Sequence, residues 1–248
     1  MEYNSSAGPV VVNVPDEDYR VYVVTDIHLN ETTKNLDRFV SDFVSDKDAA
    51  PFCICLGDMT NCTGNYPLFM EHISPVQDVA AGRFFCTPGN HDIYFDQWQD
   101  FVSYFHTASY SFDVVTPGGA RDFLLCMDSS SGTLGKEQRE WVSETLEKAS
   151  RAGYRHITVF THTHFFKKDA SQGHCSNYEM EETYELTGLF SRAGVDMVLT
   201  GHDHNREYTL FGGVEYYVID ALEDKAEESY YAIASYGSGE IDIEYIPV

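Results

Sequence analysis

The stretch Thr87-Pro88-Gly89-Asn90-His91-Asp92 follows the apolar run Arg83-Phe84-Phe85-Cys86. That run has the character of a buried strand, so the polar residues fall at a strand's C-terminal end. Pro88 and Gly89 supply the turn, and an amide, an imidazole and a carboxylate follow without a gap. Packing does not call for such a trio, whereas open α/β folds bind their ligands at strand C-terminal tips. A lone Asn-His-Asp is also compatible with a polar loop, so its meaning rests on the other strand ends.

Four further apolar runs end in the same manner. Arg20-Val21-Tyr22-Val23-Val24-Thr25 runs into Asp26-Ile27-His28, and Phe52-Cys53-Ile54-Cys55-Leu56 into Gly57-Asp58. His156 to Thr161 runs into His162-Thr163-His164, and Val195 to Thr200 into Gly201-His202-Asp203-His204. In a parallel or mixed sheet these ends converge on one rim. A single rim histidine is adequately explained by a hydrogen bond or a solvated turn; five such tips in one chain are not. Imidazole nitrogens with carboxylate and amide oxygens, and no thiolate, suit Mn, Fe, Zn, Co or Ni rather than Ca or Mg alone. The donors are too many for one tetrahedral site. Two ions about 3.5–4 Å apart that share a carboxylate can clamp a phosphate ester and lower the pKa of a bridging water.

Between the tips, periodicity predicts the remaining elements. Val10-Val11-Val12 is a strand. Asp37 to Lys47 has helical spacing, with Leu36, Phe39, Val40, Phe43 and Val44 on one face. Tyr66 to Val79 starts as a helix that Pro75 is expected to break. Aromatic residues at helical spacing predict a helix over Phe95 to Phe105. Tyr110 to Val115 and Phe123 to Met127 form a hairpin turned by Thr116-Pro117-Gly118-Gly119. Leu134 to Ser150 and Met180 to Phe190 are helices, the first with Gly153 just past its end. From Arg206 onward the pattern is purely β: Tyr208 to Phe211, Val214 to Ile219, Tyr230 to Tyr236 and Glu240 to Ile246 read as a C-terminal meander over 206–248. No repeat, low-complexity tract or linker divides the chain, so residues 1–248 are expected to form one α/β domain built on a pair of sheets. The polar loop Lys167 to Glu179 is long enough to carry function.

Composition limits the partners. A formal net charge of −24, from 40 Asp+Glu against 16 Lys+Arg, repels polyanions, and no basic stripe tracks a phosphate backbone, so long nucleic acid is not an expected partner. No apolar run approaches the roughly 20 residues that span a bilayer. The opening Met1-Glu2-Tyr3-Asn4-Ser5-Ser6 lacks the basic and apolar segments of a signal peptide. Of the six cysteines, Cys53, Cys55, Cys86 and Cys126 sit in apolar runs as small hydrophobes, with Cys62 and Cys175 in polar loops. A reducing, cytoplasmic setting is expected. His72, His106 and His156 lie in or beside regular elements and read as structural; His174 lies in the long loop.

Asp26-Ile27-His28, Gly57-Asp58, Gly89-Asn90-His91-Asp92, His162 and Gly201-His202-Asp203-His204 resemble, in order and type, the motifs of the calcineurin-like metallophosphoesterases. The resemblance spans roughly residues 20 to 220. The helix from Gln138 to Ala149, and Tyr110-Ser111-Phe112 before a hairpin ending at Asp128, echo it more weakly. It implies a four-layer α/β/β/α sandwich of two mixed β-sheets flanked by helices, with the metal site at the strand tips. It implies two transition-metal ions, Mn, Fe or Zn: one held by Asp26, His28 and His204, the other by Asn90, His162 and His202, with Asp58 bridging. It implies hydrolysis of a small phosphodiester or phosphomonoester by a hydroxide held between the ions. His91 would serve as general acid or transition-state stabiliser. Asp92 would either orient that imidazole or stabilise the turn.

In Thr161-His162-Thr163-His164 either histidine can be a ligand; the resemblance favours His162, which comes directly off the strand. His164 stands where many members have proline and is left to contact substrate. Met59-Thr60-Asn61-Cys62 lacks the arginine that follows the bridging aspartate in the serine/threonine phosphatases. Asn61 stands where purple acid phosphatases have a tyrosine ligand, and it is a further candidate substrate contact. What remains resembles the bacterial branch of small phosphodiesterases. The rival expectation is a metal-binding scaffold of the same fold that does not hydrolyse and serves protein interaction.

Overall fold

Tyr22 and Val24 pack in one cluster with Leu36, Phe39 and Phe43, whereas Val21 and Val23 pack in another with Leu124, Phe160 and Leu199. Successive side chains of a strand point to opposite faces, so this strand is covered on both sides, which is why its sequence is an almost unbroken apolar run. Each such side chain, fully buried, contributes about 1.5–3 kcal/mol relative to exposure.

In this computed structural model, which describes residues 10–30, 32–46, 50–61, 65–79, 84–166 and 178–248, the same logic gives four layers. The strands are β1 (Val10–Asn13), β2 (Tyr19–Val24), β3 (Phe52–Cys55), β4 (Phe84–Cys86), β5 (Tyr110–Val115), β6 (Arg121–Cys126), β7 (His156–Phe160), β8 (Met197–Thr200), β9 (Glu207–Phe211), β10 (Val214–Val218), β11 (Tyr230–Tyr236) and β12 (Asp242–Pro247). The α-helices are α1 (Lys34–Ser45), α2 (Tyr66–Val79), α3 (Trp98–Phe105), α4 (Gly135–Ala149) and α5 (Met180–Ala193). One sheet has the order β1-β5-β6-β7-β8-β10-β9 and the other β12-β11-β2-β3-β4. Helices α1, α2 and α3 cover the outer face of the five-stranded sheet through Phe39, Phe69 and Phe101. Helices α4 and α5 cover the seven-stranded sheet through Val142, Leu146, Leu186 and Phe190. Between the sheets lie Phe52, Ile54, Phe112, Phe160 and Leu199. The α/β/β/α sandwich is the one expected from the motifs.

Three local expectations differ from the structure. Helix α2 runs through Pro75 to Val79. A proline there deprives the Glu71 carbonyl of its helical N–H, and the Ser74 hydroxyl donates to that carbonyl instead, at 2.9 Å. Ile73 and Val76 stay fully buried on either side. The helix expected from Phe95 begins only at Trp98, because Phe95 and Asp96 both have left-handed φ, 57° and 66°. The C-terminal strands do not form one meander. β9 and β10 complete the seven-stranded sheet, and β11 and β12 complete the five-stranded one. The buried segment Ile219–Leu222 follows β10 as the chain leaves the first sheet for the second.

Parallel pairing places the site. β2, β3 and β4 are parallel neighbours, as are β6, β7, β8 and β10. All five motif-bearing strands therefore end on one rim, three from one sheet and two from the other. Among the described residues no helix is long and apolar enough to cross a membrane. Cys53, Cys55, Cys86 and Cys126 are buried free thiols; Cys62, Cys175, His174 and most of the loop 167–179 lie outside the described residues.

Candidate metal centre

The backbone at the strand tips turns sharply. Of the eight described non-glycine residues with positive φ, five are Asp26, His28, Asp58, His202 and His204, with φ of 48°, 45°, 52°, 75° and 47°. Asp and His tolerate this region better than most residues, yet each such residue still costs about 1–3 kcal/mol. Five of them at one rim are kept because the turns aim five polar side chains inward. Two glycines let the tips approach. A Cβ on Gly89 would lie 2.1 Å from Asp58 Oδ1, and one on Gly201 would lie 2.0 Å from Thr25 Oγ1 and 2.6 Å from Asp26 Oδ2.

Each buried aspartate divides its two oxygens between structure and site. Asp26 Oδ2 accepts from the Thr25 hydroxyl at 2.7 Å and from the His202 N–H at 2.8 Å. Its Oδ1 is buried and receives no hydrogen bond from the described residues; His204 Nε2 stands 3.2 Å away and His28 Nε2 3.6 Å. Asp58 Oδ1 accepts from the His91 backbone N–H at 2.7 Å. Its Oδ2 lies 3.7 Å from His28 Nε2 and 3.4 Å from His162 Nε2.

The histidines face these carboxylate oxygens and one another. His28 Nε2 and His204 Nε2 are 3.0 Å apart. His162 Nε2 is 3.1 Å from both Asn90 Oδ1 and His202 Nδ1. His162 Nδ1 donates to the Leu56 carbonyl at 2.8 Å, which turns Nε2 toward Asn90, His202 and Asp58, the kind of backbone contact that orients a metal-ligating imidazole. Burial opposes the charge on Asp26, but the facing His204 and His28 rings outweigh it and hold the carboxyl well below its usual range. Burial likewise disfavours a charged His162, but Asp58 outweighs it and raises the imidazole to about 9. His202 is pushed down to about 3 by burial and by the charge of His162.

The remaining candidates are distributed around this core. Asp92 is fully buried; it accepts from the Met59 N–H at 3.1 Å, the Thr60 N–H at 3.3 Å, the Gly89 N–H at 2.9 Å and the Tyr66 hydroxyl at 3.0 Å. These bonds tie the tip of β4 to the segment after β3. Burial and the charge of Asp58 raise its pKa to about 6. The half-buried His91 ring packs edge-on to His28, with centroids 4.6 Å apart, and burial lowers its pKa. His164 is buried, its Nε2 4.0 Å from Asp203 Oδ1 and its ring 5.8 Å from that of His202. Asn61 is half-buried, its N–H 3.4 Å from the Leu29 carbonyl.

Some supporting residues are not legible in the sequence as such. Thr87 Oγ1 and Thr161 Oγ1 both donate to the Met127 carbonyl, each at 2.9 Å, and pin the β4, β6 and β7 tips together. Asp128 is a further carboxylate at the end of an apolar run. Burial raises its pKa, and Gln138 holds it by accepting from the Asp128 N–H at 2.7 Å and donating to its carbonyl at 2.9 Å. The signal for Asp128 is the same as for the other tips, a carboxylate where a strand stops.

The ligand-type atoms fall into three sets: Asp26, His28 and His204; His28, Asp58 and His91; and Asp58, His162 and His202, each set within 4.8 Å. The ion pairs of Asp26 and Asp58 among the described residues are with histidines alone. Two buried carboxylates without Lys or Arg among the described residues, one with an oxygen that accepts no hydrogen bond there, and imidazole nitrogens turned toward each other fit a bound cation. The donor set therefore fits transition-metal ions. The second set adds the His91 ring to the ligand-type atoms around Asp58.

Solved structures share the fold. A dimetal phosphatase from Danio rerio superposes with a TM-score of 0.69 at 11% identity, covering 92% of this chain and 95% of that one. GAP50, the anchor in the inner membrane complex of Plasmodium, gives 0.69 at 13% identity, with 94% and 85% covered. A purple acid phosphatase from yellow lupin (Lupinus luteus) seeds gives 0.72 at 15% identity, covering 94% of this chain and 52% of that one. Comparison with curated protein sequences finds no match. The family model described as calcineurin-like phosphoesterase matches residues 19–206, from β2 to just before β9. The chain belongs to the calcineurin-like phosphoesterase family.

Proposed function

We propose that the protein is a dinuclear metal phosphohydrolase that cleaves a small phosphodiester or phosphomonoester. The observation that carries this reading is the position of Asp58 Oδ2, 3.7 Å from His28 Nε2 and 3.4 Å from His162 Nε2: one carboxylate joins two sets of donors. On this reading Asp26, His28 and His204 hold one ion, Asn90, His162 and His202 hold the other, and Asp58 is shared. Mn, Fe or Zn is the class of ion that such nitrogen and oxygen donors prefer. When bound, two such ions supply Lewis acidity and lower the pKa of water.

The chain's own groups do the rest. Thr25 and the His202 N–H fix Asp26, and the His91 N–H fixes Asp58, so both carboxylates would meet a cation without reorganising. His91, with its backbone bound to Asp58 and its ring beside His28, protonates the leaving oxygen or holds a phosphoryl oxygen as charge develops. Asp92 holds the turn that presents His91. The net charge of −24 favours a small ester over long nucleic acid as substrate.

The test is hydrolysis of nitrophenyl phosphate and bis-nitrophenyl phosphate with manganese added. Turnover of at least one is expected, and its absence with metal demonstrably bound supports the rival scaffold. The complete donor set and the presence of His91 weigh against that rival.

A further inference from the structure

A row of rings leads out of the metal centre. The His28 and His91 centroids are 4.6 Å apart and nearly perpendicular, at 80°. His91 and Tyr94 are 5.5 Å apart, and Tyr94 and Phe95 are 6.3 Å apart at 66°. These separations lie in the range of favourable aromatic contact. Exposure rises along the row: His28 is 7% exposed, Tyr94 46% and Phe95 83%. The row thus runs from the buried centre to solvent, and it includes the residue assigned to the leaving oxygen.

The outermost ring has no packing reason to be where it is. Phe95 buries almost nothing, yet it has a φ of 57°, followed by Asp96 at 66°. Two consecutive non-glycine residues in the left-handed region are costly and persist where function requires them. Tyr94 is anchored rather than loose: its N–H donates to the Asn90 carbonyl at 3.2 Å, and its carbonyl accepts from the Gln97 N–H at 3.4 Å. Trp98, by contrast, stacks inward on Phe101 at 5.9 Å and 13°. Tyr94 and Phe95 face water beside the site in a chain whose other large aromatics mostly pack.

We infer that Tyr94 and Phe95 form a stacking subsite for the leaving group, and that the substrate is a phosphoester whose leaving alcohol carries a planar aromatic ring. This rests on the phosphohydrolase reading and on the placement of His91 at the leaving oxygen. Nucleobases and simple aryl groups share the chemistry, since each offers a π-face to an aromatic side chain.

The experiment compares matched esters with the manganese-loaded full chain. Benzyl phosphate is set against ethyl phosphate, and adenosine 5′-monophosphate against ribose 5-phosphate; within each pair the leaving group is a primary alcohol and the ring is the main difference. The wild type is expected to prefer the ring-bearing member of at least one pair by about tenfold in kcat/KM, the scale of one stacked ring. Preference in the adenosine pair alone assigns the subsite to nucleobases, and preference in both assigns it to aromatic rings in general. Phe95→Ala is expected to lose about tenfold on the ring-bearing ester and at most about twofold on its partner, with Phe95→Trp restoring the difference. Phe95 is exposed, so the variant folds. Equal rates within both pairs, or equal losses on both members, overturn the subsite. If none of these monoesters and no bis-nitrophenyl phosphate is hydrolysed, the phosphohydrolase reading fails; whenever the four monoesters are not turned over, binding separately decides the rings. Calorimetric titration then compares benzylphosphonate with methylphosphonate: tighter binding of the former that Phe95→Ala removes supports the subsite, and equal binding overturns it.

Discussion

The His202 N–H donates to Asp26 Oδ2 at 2.8 Å, joining the tip of β8 in one sheet to the tip of β2 in the other across 176 residues of chain. A second bond does the same 106 residues apart, from His162 Nδ1 to the Leu56 carbonyl at 2.8 Å. The candidate centre is therefore a seam between two sheets, and its proposed ligands are also the stitches. That double use governs what substitutions do.

Asp26→Asn separates the two uses. An amide can keep its single oxygen toward Thr25 and His202, but it then presents an NH₂ group to His28 and His204 where a metal ligand is needed. Metal affinity is expected to fall by at least about 10–100-fold, the scale seen even for outer-shell changes. The fold is expected to persist. Isothermal titration with manganese and a thermal melt of the metal-free protein check the two halves.

Gly201→Ala strikes the seam sterically. Its Cβ would stand 2.0 Å from Thr25 Oγ1 and 2.6 Å from Asp26 Oδ2, so the two tips must separate. A loss of about 1–3 kcal/mol is expected, as for overpacking in a core, together with weakened metal binding. Gly239 is the control, since a Cβ added there would meet nothing within 4 Å: Gly239→Ala is expected to stay within about 0.5 kcal/mol. Urea denaturation of both variants measures the difference.

Asn90 and His91 are adjacent but are assigned different work. Asn90 Oδ1 faces His162 Nε2 at 3.1 Å, so Asn90→Ala is expected to weaken metal binding. His91 holds Asp58 through its backbone N–H, a bond that truncating the side chain leaves in place. His91→Ala should keep both metals and lose about 10²–10⁴-fold in turnover, the range for general acid catalysis. Metal analysis alongside kinetics separates the pair; a metal-depleted His91→Ala protein would make the ring itself a ligand.

Chelation is expected to abolish activity while leaving the fold. The three apolar clusters that hold the layers together are built on residues such as Phe39, Phe160 and Phe190, none of which is a ligand. A chelated sample should keep its far-ultraviolet circular dichroism, and loss of that signal would mark the metals as structural.

Much of this candidate centre is legible in the sequence because its proposed ligands follow apolar runs. Asp26, Asp58, Asn90, His162 and His202 each stand where a strand's hydrophobic run stops, and parallel strands carry such positions to one rim. What escapes a sequence reading is contact between segments distant in the chain. That Asp92 binds three backbone N–H groups and the Tyr66 hydroxyl depends on how two loops meet, which no local pattern records. The same holds for Thr87 and Thr161, whose shared acceptor is the Met127 carbonyl. Pro75 suggests a break that does not occur, since Ser74 offers the Glu71 carbonyl a substitute donor and α2 continues. The division of the last four strands between two sheets is hidden because hairpins look alike whichever sheet they join.

The most direct test concerns Asp58, the carboxylate whose Oδ2 stands between His28 and His162. Metal stoichiometry should be measured by elemental analysis on the manganese-loaded wild type and on Asp58→Ala, together with hydrolysis of bis-nitrophenyl phosphate. Two ions per wild-type chain, falling to one or none with activity lost in Asp58→Ala, is the expected result. A single ion in the wild type, or two ions retained by an Asp58→Ala variant that still turns over, would contradict a dinuclear centre joined through this residue.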